Sequence, residues 1–112
     1  MRVHYSILLV SDMNHAVAFY RDVVGMPLRF ETPGWTEFGT AGATFALHKA
    51  GPEDRPGTCR PGVQVPDLDA FHKKMLAAGV ECLQPPTEQF GARLAQYAGP
   101  DGIVLGVGEG RA

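Results

Sequence analysis

The side chains in this sequence best suited to chemistry are four histidines, one tryptophan, an arginine just before a proline and a scatter of carboxylates. The histidines are His4, His15, His48 and His72, and no pair has metal-ligand spacing such as HxxxH. No carboxylate–histidine cluster accompanies them. His15 and His72 fall on predicted helices and are expected near the surface. His48 ends a predicted strand and is the histidine expected to reach a ligand. Trp35 offers a flat ring for stacking a planar molecule, or a half-buried anchor; Phe38 and Tyr97 are read the same way. Arg60 suits a ligand carboxylate or phenolate, or solvent. Glu37 reads as an exposed acid, with general base as the alternative. The run Gly106-Val107-Gly108-Glu109-Gly110 opens no helix and so makes no phosphate loop. Neither serine nor cysteine sits in a nucleophile elbow.

Elements able to position these residues follow from patterning. Over residues 4–10, Tyr5, Ile7 and Leu9 alternate with Ser6, Leu8 and Val10, a strand apolar on both faces. Asp12 is placed to cap a helix over 13–24, with Ala16, Phe19, Tyr20, Val23 and Val24 as one inward stripe and Gly25 as its stop. Short strands are predicted over 27–31, 35–39 and 44–48, separated by turns at Pro33-Gly34 and Ala41-Gly42. Residues 49–61 read as a connecting loop, long enough to cover a site. The order then repeats. A strand over 62–65 precedes a helix over 68–78 capped by Asp67, with Leu68, Phe71, Met75 and Ala78 inward and Gly79 as its end. Strands over 81–83, 92–98 and 103–107 follow, with a bend at Pro85-Pro86 and a turn at Gly99-Pro100-Asp101-Gly102. Val10-Ser11-Asp12-Met13 returns as Val65-Pro66-Asp67-Leu68, an internal repeat of a strand–helix unit.

Bulk properties agree with one domain over 1–112: 45% of residues are hydrophobic, 20% are charged, and the net charge is -2. No basic run suggests nucleic acid. No apolar stretch suits a membrane span, and no charged leader precedes an apolar block, so neither membrane nor export is expected. Cys59 and Cys82 are too few for a disulfide framework and read as reduced thiols, which suits the cytoplasm. The Ala/Gly/Pro/Arg leaning is compatible with a high-GC bacterial source.

The opening Leu8-Leu9-Val10-Ser11-Asp12, continued by Ala18-Phe19-Tyr20-Arg21-Asp22-Val23-Val24-Gly25-Met26, resembles the signature of the vicinal oxygen chelate superfamily, which includes glyoxalases, bleomycin-resistance proteins and extradiol dioxygenases. Tyr97-Ala98-Gly99-Pro100-Asp101-Gly102 resembles that superfamily's aromatic-x-Asp-Pro-Asp-Gly turn, with Gly99 replacing the first Asp. The resemblance implies an α+β fold: two βαβββ modules, about 1–50 and 62–112, forming a cupped mixed β-sheet with helices on the outer face. It also implies a homodimer with sites near the interface.

In the family's metalloenzymes one residue from each of four strands reaches into the cup to hold a divalent metal. The resemblance places those positions at Tyr5, Ala46, Arg60 and Gly106. Alanine and glycine side chains offer no donor, and a guanidinium repels a cation. The expected function is therefore binding and sequestration of a small aromatic or drug-like molecule, with no metal, no cofactor and no assigned catalytic residue. Tyr5, Ile7, Trp35, Phe38, Ala46, His48, Arg60, Gln64, Tyr97 and Gly106 are the candidate ligand-binding residues. The alternatives are a metal-dependent glyoxalase-like lyase, isomerase or dioxygenase, a metal-free enzyme using Tyr5, His48 or Glu37, and an accessory binding domain.

Overall fold

Two aspartates end strands and begin helices in the same way. The Asp12 carboxylate accepts a hydrogen bond from the His15 amide at 3.0 Å, and Asp67 accepts from the Ala70 amide at 3.0 Å. Both caps have extended backbone and open the helices α1 (Met13–Ala18) and α2 (Leu68–Ala77). Asp12→Ala and Asp67→Ala are each expected to lower stability by about 1 kcal/mol, read as a shift of the urea midpoint with unchanged slope.

The computed structural model describes residues 1–110. Its strands are β1 (Arg2–Val10), β2 (Leu28–Glu31), β3 (Trp35–Phe38), β4 (Thr44–Lys49), β5 (Cys59–Val65), β6 (Cys82–Gln89), β7 (Ala92–Ala98) and β8 (Val104–Glu109). In chain order these are the two βαβββ modules of an α+β fold. The chain divides into two compact units, one of Tyr5–Arg60 and the other of residues 1–4 with those from Pro61 onward.

In the first unit the strand order is β2-β3-β4-β1, with β1 and β4 parallel and the other pairs antiparallel. Val10, Met13, Val17, Phe38 and Leu47 form its buried core between α1 and one sheet face. In the second unit the order is β5-β8-β7-β6, with β5 and β8 parallel. Its core is Val65, Leu68, Ala95, Tyr97 and Val107, with Phe71 and Met75 of α2 packed on it.

Four local expectations are corrected. The first helix does not run unbroken to residue 24: Phe19–Val24 forms a π-helical turn, which ends at Gly25 with φ +88. The wider turn breaks the 3.6-residue stripe, so Val23 and Val24 are 75% and 53% exposed instead of facing the core. Strand β5 begins at Cys59, shortening the connection to residues 50–58. That connection is tied in place: Asp54 accepts from the Gly51 amide at 2.8 Å and from Arg60 at 3.0 Å, and Gly57 and Thr58 bond the backbone of Leu9. Strand β6 continues through Pro85-Pro86, where a bend was expected. It lies at the end of its sheet, and its register against β7 shifts between Gln84 and Thr87, so neither proline has to donate to the ladder. Strand β8 reaches Glu109, whose carboxylate accepts from the Leu68 amide at 2.9 Å and from Arg93 at 3.3 Å.

Candidate functional site

Alternation along β3 decides which side chains can act together. Thr36 and Phe38 point toward α1: the Thr36 hydroxyl lies 3.3 Å from the Met13 sulfur, and Phe38 is fully buried in the core. Trp35 and Glu37 therefore occupy the opposite face. Pairing puts Trp35 beside His48, Glu37 beside Ala46, Ala46 beside Ile7 and Thr44 beside Tyr5. The face of this unit's sheet away from α1 thus carries Tyr5, Ile7, Trp35, Glu37, Thr44, Ala46 and His48.

Glu37 is the centre of that face and is 8% exposed. Its Oε2 accepts from the Trp35 indole at 2.9 Å and from the Tyr5 hydroxyl at 3.1 Å. Its Oε1 accepts from Arg29 Nη1 at 3.4 Å. Arg29 Nη1 also donates to the Thr44 hydroxyl at 3.3 Å. The Trp35 ring meets Tyr5 edge-on at 5.9 Å and His48 edge-on at 5.8 Å, the favoured arrangement for aromatic pairs. The expectation that Glu37 is an exposed acid is corrected: three donors from β1, β2 and β3 satisfy it in the interior, as a buried carboxylate requires.

Burial pushes the Tyr5 phenol above its ordinary value of 10.0; the adjacent Glu37 charge and their hydrogen bond act in the same direction, and Arg29 opposes them. A raised folded-state value means that Tyr5 contributes stability that is fully present below pH 10 and is lost as pH rises through the folded value. We expect phenolate absorbance from Tyr5, isolated by difference against Tyr5→Phe, to emerge later than in free tyrosine. Glu37→Gln is expected to bring that titration back toward the ordinary value.

The structure brings together five of the ten expected ligand-binding residues, Tyr5, Ile7, Trp35, Ala46 and His48, on one face. Phe38 is not among them, because it is packed under α1. Tyr97 is likewise on the helix side of its own unit, buried, with its hydroxyl 2.9 Å from His72 Nδ1. Burial first, and then the Cys82 charge, raises the Tyr97 phenol. Arg60 is engaged by Asp54 at 3.0 Å. Gln64 and Gly106 lie in the second unit, paired with Gly108 and Gly62 respectively. Gln64 lies against the backbone of Gly110, where an added Cβ would come within 2.3 Å of its amide nitrogen. Sequence reading missed Arg29, Thr44 and the burial of Glu37. The Trp35-x-Glu37 spacing was the available signal, since it puts both on one face of a strand.

A divalent metal does not fit this set. Among the described residues no three His, Cys, Asp or Glu side chains come together. At the positions implied by the resemblance, Tyr5 donates to Glu37, Arg60 is paired with Asp54, and Ala46 and Gly106 have no side-chain donor atom. Glu37 already accepts from three donors.

A family model described as the Glyoxalase/Bleomycin resistance protein/Dioxygenase superfamily matches residues 2–107. The chain is similar in structure to a member of that superfamily from Vibrio splendidus, at 19% identity and TM-score 0.75, covering 97% of this chain and 98% of that one. It is similar to methylmalonyl-CoA epimerase from Mycobacterium tuberculosis at 21% identity and TM-score 0.73, covering 99% and 89%. A Streptomyces coelicolor methylmalonyl-CoA epimerase in complex with 2-nitronate-propionyl-CoA gives 20% identity and TM-score 0.75, covering 100% and 99%. These likenesses establish a shared fold. None of the curated proteins matches the chain. Among the described residues no helix is long and apolar enough to cross a membrane.

Proposed function

This chain belongs to the glyoxalase/bleomycin resistance protein/dioxygenase superfamily, and from that premise we propose that it binds and sequesters a small planar organic molecule without a metal ion. The observation that carries this reading is the state of Glu37. The one buried carboxylate of the candidate face accepts from Trp35, Tyr5 and Arg29, so it serves as the anchor of an aromatic platform. A half-exposed indole held by its N–H and braced edge-on by Tyr5 and His48 is a rigid stacking surface, and rigidity reduces the ordering cost of binding. The face offers stacking and hydrogen bonding, and the donor set for a Lewis-acid site is missing from it. The protein acts as a cytoplasmic homodimer, which sedimentation at varied concentration tests.

The test of function has two parts. Protein purified without chelators and then incubated with Ni, Zn, Mn and Fe(II) is expected to retain no stoichiometric metal. Titration with planar aromatic compounds is expected to change Trp35 fluorescence saturably, with the compound recovered intact. About one metal per chain, or recovery of a converted product, would overturn the reading in favour of a lyase, isomerase or dioxygenase.

A further inference from the structure

Resting on the binding reading above, we infer that Arg29 is the specificity-determining residue of this face and that the ligand is a planar aromatic carboxylate. An arginine presents two edges that can fork onto an anion. In Arg29 only Nη1 is engaged, by Glu37 Oε1 at 3.4 Å and by the Thr44 hydroxyl at 3.3 Å, both at the long end for such bonds. Among the described residues no hydrogen bond engages Nε or Nη2, and the side chain is 50% exposed. That remaining Nε–Nη2 edge is the geometry that pairs with a carboxylate through two parallel bonds.

A second observation, independent of the hydrogen bonds, concerns the space beside that edge. The residue next to it is Gly39. A Cβ built there would lie 3.6 Å from Nη2 and 4.0 Å from Nε. A side chain at Gly39 would therefore stand in van der Waals contact with the unused fork. The φ of Gly39 is not in the left-handed region, so its backbone does not demand glycine.

Charge and position complete the argument. Glu37 binds Trp35 and Tyr5 through Oε2 at shorter distances than it binds Arg29 through Oε1, so the guanidinium is the loosest member of the group and the one able to turn toward a new anion. Trp35 and Arg29 grip opposite oxygens of the same carboxylate. Indole and guanidinium thus flank the same carboxylate, the arrangement that an aromatic acid with its ring on Trp35 would use. Lysine at this position would supply charge without the fork.

The experiment compares 2-naphthoate with its neutral amide by calorimetric titration, following the Trp35 indole N–H resonance to locate binding and confirm folding. The acid is expected to bind at least tenfold more tightly than the amide. Arg29→Gln is expected to remove that preference, so that acid and amide bind alike, and Arg29→Lys to restore only part of it. Gly39→Val, which leaves the charge in place and fills the space beside the fork, is expected to weaken the acid selectively. Equal binding of acid and amide to the unaltered protein, or a preference unchanged in Arg29→Gln, would overturn the inference and leave the aromatic platform standing. If neither probe, nor any other planar aromatic, moved the Trp35 resonance, the binding reading would fall and this inference with it.

Discussion

Replacing Phe38 with alanine is expected to cost about 3–5 kcal/mol of folding stability, the largest loss of any single change considered in this chain. Phe38 has 0% exposure and is surrounded by Val10, Met13, Val17 and Leu47. Its ring tilts against Tyr20 at 6.2 Å and Phe45 at 6.1 Å. Truncation removes these contacts and leaves a cavity beneath a helix of only six α-helical residues, a short element that depends on packing more than on its own propensity. Small domains hold about 5–15 kcal/mol in total, so the loss removes a large share of it. Phe38→Leu keeps much of the volume and is expected to cost about 1 kcal/mol. It supplies a folded variant in which ligand affinity can be read. A lowered urea midpoint with unchanged affinity is the expected pair of results. An unchanged midpoint with lost affinity would put Phe38 on the binding face instead.

The same residue shows how much was legible beforehand. The order of strands and helices was readable because it is written in local chemistry: aspartates that cap, glycines that stop, and apolar alternation between them. The parallel pairs were less legible, because they join the first and last strands of each module, β1 with β4 and β5 with β8, and not the two strands that flank the helix. The membership of the site was only half readable. Trp35 and Phe38 are three apart on one strand, so strand parity alone separates them onto opposite faces; treating both as ligand contacts set aromatic character above geometry. Tyr97 fails in the same way, since it shares the helix side with Ala95 and Val107. For the burial of Glu37 the only local signal was the face it shares with Trp35. That burial depends on donors brought from β1 and β2, at separations of 32 and 8 positions, and no local pattern announces such a meeting. The π-helical turn was hidden too, because Phe19 to Val24 has the composition of an ordinary amphipathic helix.

Glu37→Ala is the second large effect expected, and its value lies in comparison with Glu37→Gln. Alanine removes the acceptor for three donors at once. An interior donor left without a partner costs about 1–3 kcal/mol. Tyr5 and Trp35 are only half-buried, so water replaces part of what is lost, and the expected total is about 2 kcal/mol. Glutamine keeps one oxygen acceptor, which the Trp35 and Tyr5 donors can share, but turns an N–H₂ group toward Arg29. Its expected cost is about 1 kcal/mol, with the Trp35 indole N–H retained in its bonded environment and Arg29 released. The two variants separate the roles of Glu37. If the residue is an anchor, the alanine variant loses aromatic binding because the indole and phenol are no longer fixed, while the glutamine variant keeps binding and frees a cation to attract a carboxylate more strongly. If the residue were instead a proton-transfer group, glutamine would abolish turnover of a substrate while leaving the platform and the Trp35 signal intact. The anchor role rests on the hydrogen-bond geometry: Oε2 is held by two neutral donors at 2.9 and 3.1 Å and Oε1 faces a guanidinium, so no oxygen of Glu37 is left unengaged to take a proton from a bound molecule without first giving up a donor that fixes the site.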